Sequence, residues 1–176
     1  MLTSLFRATE AGSRWLARLG VVFLVLAMAI TVADIGLRLV ARIALAFFDT
    51  PLNLIVPGIV DITQLLVMAV AYLAMPYAFT TESHVAVELL TDRLGRRGKA
   101  LASAFGALLG LGLMLLIAVY GLAQARLQIG YGDSSQTIGI PILWYWLPLL
   151  IGATLSVAAT ALLVLRHLAE AAGARP

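Results

Sequence analysis

The chain has 176 residues, of which 62% are apolar and 12% charged, with a formal net charge of +3. A soluble domain runs nearer to about 45–50% apolar and about 25% charged, so this composition excludes an ordinary water-soluble globule and points to a membrane protein. The absence of cysteine excludes a disulfide framework, a thiolate metal site and a cysteine nucleophile, and no nucleic-acid partner is expected, because the basic residues are better read by position, as membrane topology.

The first twenty residues, MLTSLFRATEAGSRWLARLG, are amphipathic and basic. No short apolar stretch in them precedes a small-residue cleavage site, so no cleaved signal peptide is expected. The first long apolar run follows, Trp15 to Val40. It exceeds the roughly 20 residues that span a hydrocarbon core. Backbone polar groups in lipid must be satisfied within the segment, so a helix is predicted. Asp34, Arg38 and Arg42 fall at four-residue spacing on one face near its end. Three readings are open for them: an intrahelical pair that snorkels to the interface, a contact with another membrane subunit, or an ion path. Leu39, Ile43 and Phe47 continue an apolar stripe, so the helix either runs past the bilayer or bends onto its surface.

The segment DTPLNLIVPG brings the chain back, and Pro57 and Gly58 suit a helix start. The second run is Gly58 to Phe79. Asp61 sits in its first turn, where the helix dipole favours an anion, and Gln64 lies one turn on along the same face. They form either an interfacial start with no partner or a subunit contact. Pro76 is predicted to kink this helix, since it leaves the carbonyl of Tyr72 without its helical donor.

The stretch YAFTTESHVAVELLTDRLGRRGK, residues 77–99, is the most polar long segment. Val85, Leu89, Leu90 and Leu94 form an apolar edge, while Glu88, Asp92, Arg93, Arg96 and Arg97 fall mostly elsewhere. This pattern predicts a short amphipathic helix at the membrane surface, followed by a basic anchor. His84 and Glu82 are the residues that an acid–base pair would use. However, no nucleophile elbow or metal-ligand spacing accompanies them, so no enzyme activity is expected. His84 and His167 lie near the same membrane face, which excludes bis-histidine haem ligation across the bilayer. No cofactor is expected.

The third run is Ala100 to Ala125 and the fourth is Ile142 to Leu165. Ala102, Gly106 and Gly110 repeat at four-residue spacing in the third, and Gly152, Ser156 and Thr160 do so in the fourth. Small residues at this spacing let helices approach closely, the main source of association where lipid is as apolar as leucine. Trp144, Tyr145 and Trp146 start the fourth run, where an aromatic belt belongs. With four spans, nine of the twelve basic residues fall on the side of the two termini and the 77–99 connection; Arg38, Arg42 and Arg126 fall on the other. The positive-inside rule then places both termini in the cytoplasm. The expected architecture is an all-α integral membrane protein forming one membrane domain over residues 1–176, with four transmembrane helices and short interfacial ones.

Taken in order, these segments resemble the small membrane subunit (DctQ-like small permease) of tripartite ATP-independent periplasmic (TRAP) transporters. TVADIGLR is similar to that family's Asp-x-x-x-Arg, and PGIVDITQ to its Pro-Gly segment and acidic start of the second span. ESHVAVELL resembles its His-hydrophobic-x-Val-acid-x-Leu segment, and IGIPILWYWLPLLIG its aromatic entry to the fourth span. The resemblance covers roughly residues 15–168. Asp61 stands where the family often has Glu, Gln64 stands where a second acid is common, and residues 42–57 are longer than usual. The resemblance implies a bacterial inner-membrane protein that works with a large multi-span subunit and a periplasmic substrate-binding protein. It also implies organic-acid uptake on a sodium gradient, with the substrate and sodium sites in the large subunit. Asp34, Arg38, Arg42, Asp61, Gln64, His84 and Glu88 are then the residues to consider for subunit or interfacial contacts. The rival classes are a self-assembling small exporter or channel, which would want a charge deep in a span, and a membrane-embedded enzyme.

Overall fold

The computed structural model describes residues 2–81 and 96–172. Four helices make up nearly all of it: α1 (Leu2–Phe48), α2 (Ile59–Thr80), α3 (Arg96–Tyr131) and α4 (Leu143–Ala171). Each is long and apolar enough to cross a membrane, and no strand is present among the described residues. His84, Glu88 and the amphipathic helix expected over residues 85–94 lie outside them.

The helices outrun the apolar runs that signal them. At about 1.5 Å per residue, the 47 residues of α1 reach about 70 Å, more than twice the roughly 30 Å hydrocarbon thickness. α1 absorbs the basic N-terminal segment without a break. Arg14 pairs with Glu10 one turn before it at 2.6 Å, and the hydroxyls of Thr9 and Ser13 donate to carbonyls one turn back. At its other end α1 does not stop at Val40. It ends at Phe48, where Asp49 takes a left-handed conformation with φ 51°, a role open to Asp because its short polar side chain tolerates that region.

Packing follows the order α1–α2–α4–α3, with α2 and α4 in the middle. α1 runs antiparallel to α2: Asp34 meets Val56 at one end, and Gly20 lies against Val70 and Ala74 further along. α2 and α4 run parallel, with Tyr145 beside Asp61 and Gly152 beside Tyr72. α3 and α4 are antiparallel, Gly121 facing Leu149 and Gly110 facing Thr160. Both loops, 49–58 and 132–142, therefore lie at one rim, and both termini lie at the other.

Small side chains make up more than half of the buried interior, beside Leu73, Met114, Tyr145, Leu149 and Leu163. Ala69, Ala104, Ala125, Ala153, Ala159 and Ser156 are buried, while large aliphatics such as Val32, Leu113 and Leu116 face outward. A soluble protein shows the reverse; this arrangement suits a bundle solvated by lipid, where backbones gain by approaching. The closest approach is between α2 and α4. A Cβ at Gly152 would collide with the carbonyl oxygen of Tyr72. That carbonyl is the one Pro76 leaves without a helical donor, and α2 continues through Pro76 to Thr80. Gly152 thus presents its α-hydrogen to a freed carbonyl, a weak Cα–H···O contact of a kind found where helices pack closely.

Candidate functional site

The polar residues that the apolar spans cannot explain collect at the loop rim. Asp34 is buried. One carboxylate oxygen accepts a hydrogen bond from Arg38 Nε at 2.6 Å and the other accepts from the backbone N–H of Val56 at 2.9 Å. Asp34 is therefore both an intrahelical pair and a clamp on the returning chain, 22 residues away in sequence. Arg38 is about half exposed beyond its ion pair. Arg42, one turn further, is exposed and makes no ion pair among the described residues.

Asp61 does the same for the second loop. Gly58, with φ 69°, begins the turn into α2, and a side chain there would press within 2.8 Å of three carbons of Ile138. One turn on, the buried Asp61 carboxylate accepts from the backbone N–H groups of Thr137 and Ile138, both at 3.0 Å, and from the Thr137 hydroxyl at 3.3 Å. The phenol of Tyr145 donates to the Asp61 carbonyl at 2.9 Å. The loop arrives in shape for this. α3 ends in a Schellman motif, with Gly132 in the left-handed region donating to Ile129 and Asp133 donating to Gln128. Ser135 and Ile140 then bond each other through backbone and hydroxyl. Trp146 Nε1 donates to Gln128 Oε1 at 2.8 Å, so the aromatic cluster at the start of α4 ties α3 to the rim.

Gln64 does not join this network. It is exposed, and with Thr31, Thr63 and Val67 it lines an open groove between α1 and α2. The two small-residue stripes separate in role. Gly152, Ser156 and Thr160 are all buried, Gly152 against Tyr72 of α2 and Thr160 against Gly110 of α3, the Thr160 hydroxyl donating to the Ser156 carbonyl at 2.7 Å. The Ser156 hydroxyl is buried with no hydrogen-bond partner among the described residues. In α3, Gly110 packs against Phe79 and Thr160, whereas Gly106 has open space around it. The face of α3 that packs on α4 carries Ala104, Met114, Gly121 and Ala125 beside Gly110; Ala102 is half-buried.

The terminal rim is quieter. Arg166 and His167 both approach Glu170 within their own helix, Arg166 lies over the ring of Phe6, and Arg18 over Trp15. Among the described residues no three His, Asp or Glu side chains converge as metal ligands.

Sequence reasoning missed the partners Val56, Thr137, Ile138 and Gln128. The two acids carried the only readable sign, as charges on apolar helices that needed donors.

Four apolar helices with outward-facing aliphatics, and charges held at the rims, define a multi-pass integral membrane protein. The family model described as "Tripartite ATP-independent periplasmic transporters, DctQ component" matches residues 27–172. The chain belongs to that family, and is a small membrane subunit of a tripartite transporter rather than a member of an enzyme family. No curated protein and no solved structure matches it.

Proposed function

We propose that this chain scaffolds the large transport subunit of a sodium-gradient-driven TRAP uptake system for organic acids, and carries no transport site itself. The observation that carries this reading is where the charges lie. Residues 19–33 of α1, 62–80 of α2, 100–125 of α3 and 143–165 of α4 hold no Asp, Glu, Lys, Arg or His. Of the acids at the loop rim, the two buried ones, Asp34 and Asp61, are occupied by the chain's own loops. Transporters place ion and substrate sites near the midplane, in broken helices; these spans offer continuous helices and plain apolar interiors.

On this reading the chain is one inner-membrane domain with cytoplasmic termini, and its partners are the large multi-span subunit and, through it, a periplasmic binding protein. The exposed Gln64, Arg42 and Gly106 are the contact residues to test first. Purified protein in vesicles, given a sodium gradient and labelled organic acids, should take up nothing until the large subunit and binding protein are added. Sustained uptake by the single chain would instead establish a self-assembling exporter or channel.

A further inference from the structure

α1 does not stop where α2 starts. Asp34 bonds Val56, three residues before α2, yet α1 continues to Phe48. Those fourteen further residues carry the helix about 21 Å past the rim at about 1.5 Å per residue. The chain then turns at Asp49 and runs back along the same helix. The Thr50 hydroxyl donates to the Ala44 carbonyl at 3.4 Å, and Val56 reaches Asp34 at the other end. On the helix Ala44 is buried and Ala41 half-buried, and in the return segment Leu54 and Val56 are half-buried. The result is a hairpin of helix and extended chain over residues 35–57, standing off the bundle.

Its surface is that of the membrane span. Val25, Met28, Val32, Ile35 and Leu39 form one exposed apolar stripe that crosses the rim without a break. Beyond it the apolar side chains face every direction that the return segment leaves open. Phe47 and Phe48 are 78% and 74% exposed, and Leu52 and Ile55 point outward from the return segment. A helix apolar around its free circumference is solvated by an apolar medium, and an exposed apolar patch of this extent is untenable in water.

The depth is set by the other half of the hairpin. The backbone N–H groups of Leu52, Asn53, Leu54 and Ile55 have no partner among the described residues. Such groups do not survive in the hydrocarbon core, but they are satisfied by water and headgroup oxygens at its edge. The charges agree: Arg42 is exposed among apolar neighbours, Arg38 keeps donors beyond its bond to Asp34, and Asp49 marks the tip. Arginines among aliphatics and aromatics snorkel to phosphate.

We propose that the hairpin of residues 35–57 is a lipid-binding wedge seated at the headgroup–acyl boundary, with Phe47, Phe48 and Leu52 among the upper acyl carbons and Arg42 at the lipid phosphates. The absence of native cysteine makes the test clean. Phe48→Cys and Leu52→Cys are each labelled with an environment-sensitive fluorophore, and the full chain is placed in phosphatidylethanolamine–phosphatidylglycerol vesicles. Leu113→Cys, on the outward face of α3, and Ser134→Cys, in the second loop, are the deep and aqueous references. The expected result at both wedge positions is strong loss of emission with lipids nitroxide-labelled near the headgroup, a smaller loss with chain-end nitroxide lipids, and little loss with iodide. Iodide quenching equal to that at Ser134 overturns the wedge, and so does chain-end quenching equal to that at Leu113. Protection from every quencher, or loss of lipid quenching when the large subunit is co-reconstituted, assigns the surface to a protein instead and also overturns it. Two labelling positions on opposite arms keep the test decisive if one variant fails to insert.

Discussion

At Gly152 the space between two helices is the size of a hydrogen atom. The Tyr72 carbonyl fills the place a side chain would take, so Gly152→Ala must push α4 off α2. The expected loss is about 1–3 kcal/mol, the usual range for forced overpacking, read as the shift in an unfolding titration in mixed micelles. Gly106→Ala is the internal comparison. A Cβ there meets nothing, and alanine is the better helix former by about 1 kcal/mol, so stability should hold or rise. Ser156→Ala has its own sign. The hydroxyl is buried without a partner, and deleting an unsatisfied polar group is neutral or favourable; a clear destabilisation would show that the hydroxyl is bonded after all. Sequence alone displays both small-residue stripes with the same spacing. It does not show which one closes against another helix of this chain, because that depends on the rotation of each helix about its axis. The contact at Gly152 also needs the freed carbonyl of Tyr72, which Pro76 makes legible, and a parallel α2–α4 crossing, which nothing local encodes.

Each loop at the rim is held by one carboxylate from a helix. Asp61→Ala removes the acceptor for the Thr137 and Ile138 amides, so those two amides should exchange hydrogen markedly faster while the mid-helix amides of α2 stay protected. Asp34→Ala should speed exchange at Val56 in the same way, without touching residues 137–138; equal effects of both variants on both loops would mean that the rim melts as a unit. The helices were largely legible from their apolar runs, yet their ends were not. An apolar-run criterion measures the bilayer, whereas α1 continues through Glu10, Arg14, Arg38 and Arg42, with i,i+4 pairs at Arg14 and Arg38. The loop contacts were illegible for a different reason. Asp61 and Thr137 are 76 residues apart, and a backbone N–H carries no mark in the sequence of what it will bond.

For the molecule as a whole, the asymmetry of the basic residues yields a topology test. Single cysteines at residues 93–99 should resist an impermeant reagent applied from the periplasm, and cysteines at 131–138 should react. The opposite pattern would invert the protein and place the loop rim on the cytoplasmic side. The family assignment was legible because its short motifs are spread in order along four spans, each weak alone. The transported substrate is not legible in this chain, whose spans hold no Asp, Glu, Lys, Arg or His between the rims.

The two rim carboxylates hold their loops by the main chain. Asp34 bonds the amide of Val56, and Asp61 the amides of Thr137 and Ile138. Main-chain amides are common to every residue but proline. Selection for this clamp therefore falls mainly on two acids and leaves the side chains of the clamped positions free to drift, apart from the Thr137 hydroxyl, which also bonds Asp61, and the fit of Ile138 over Gly58. Relatives of this protein should diverge in loop sequence while keeping an acid at both anchor positions, and proline should be the one residue missing opposite them.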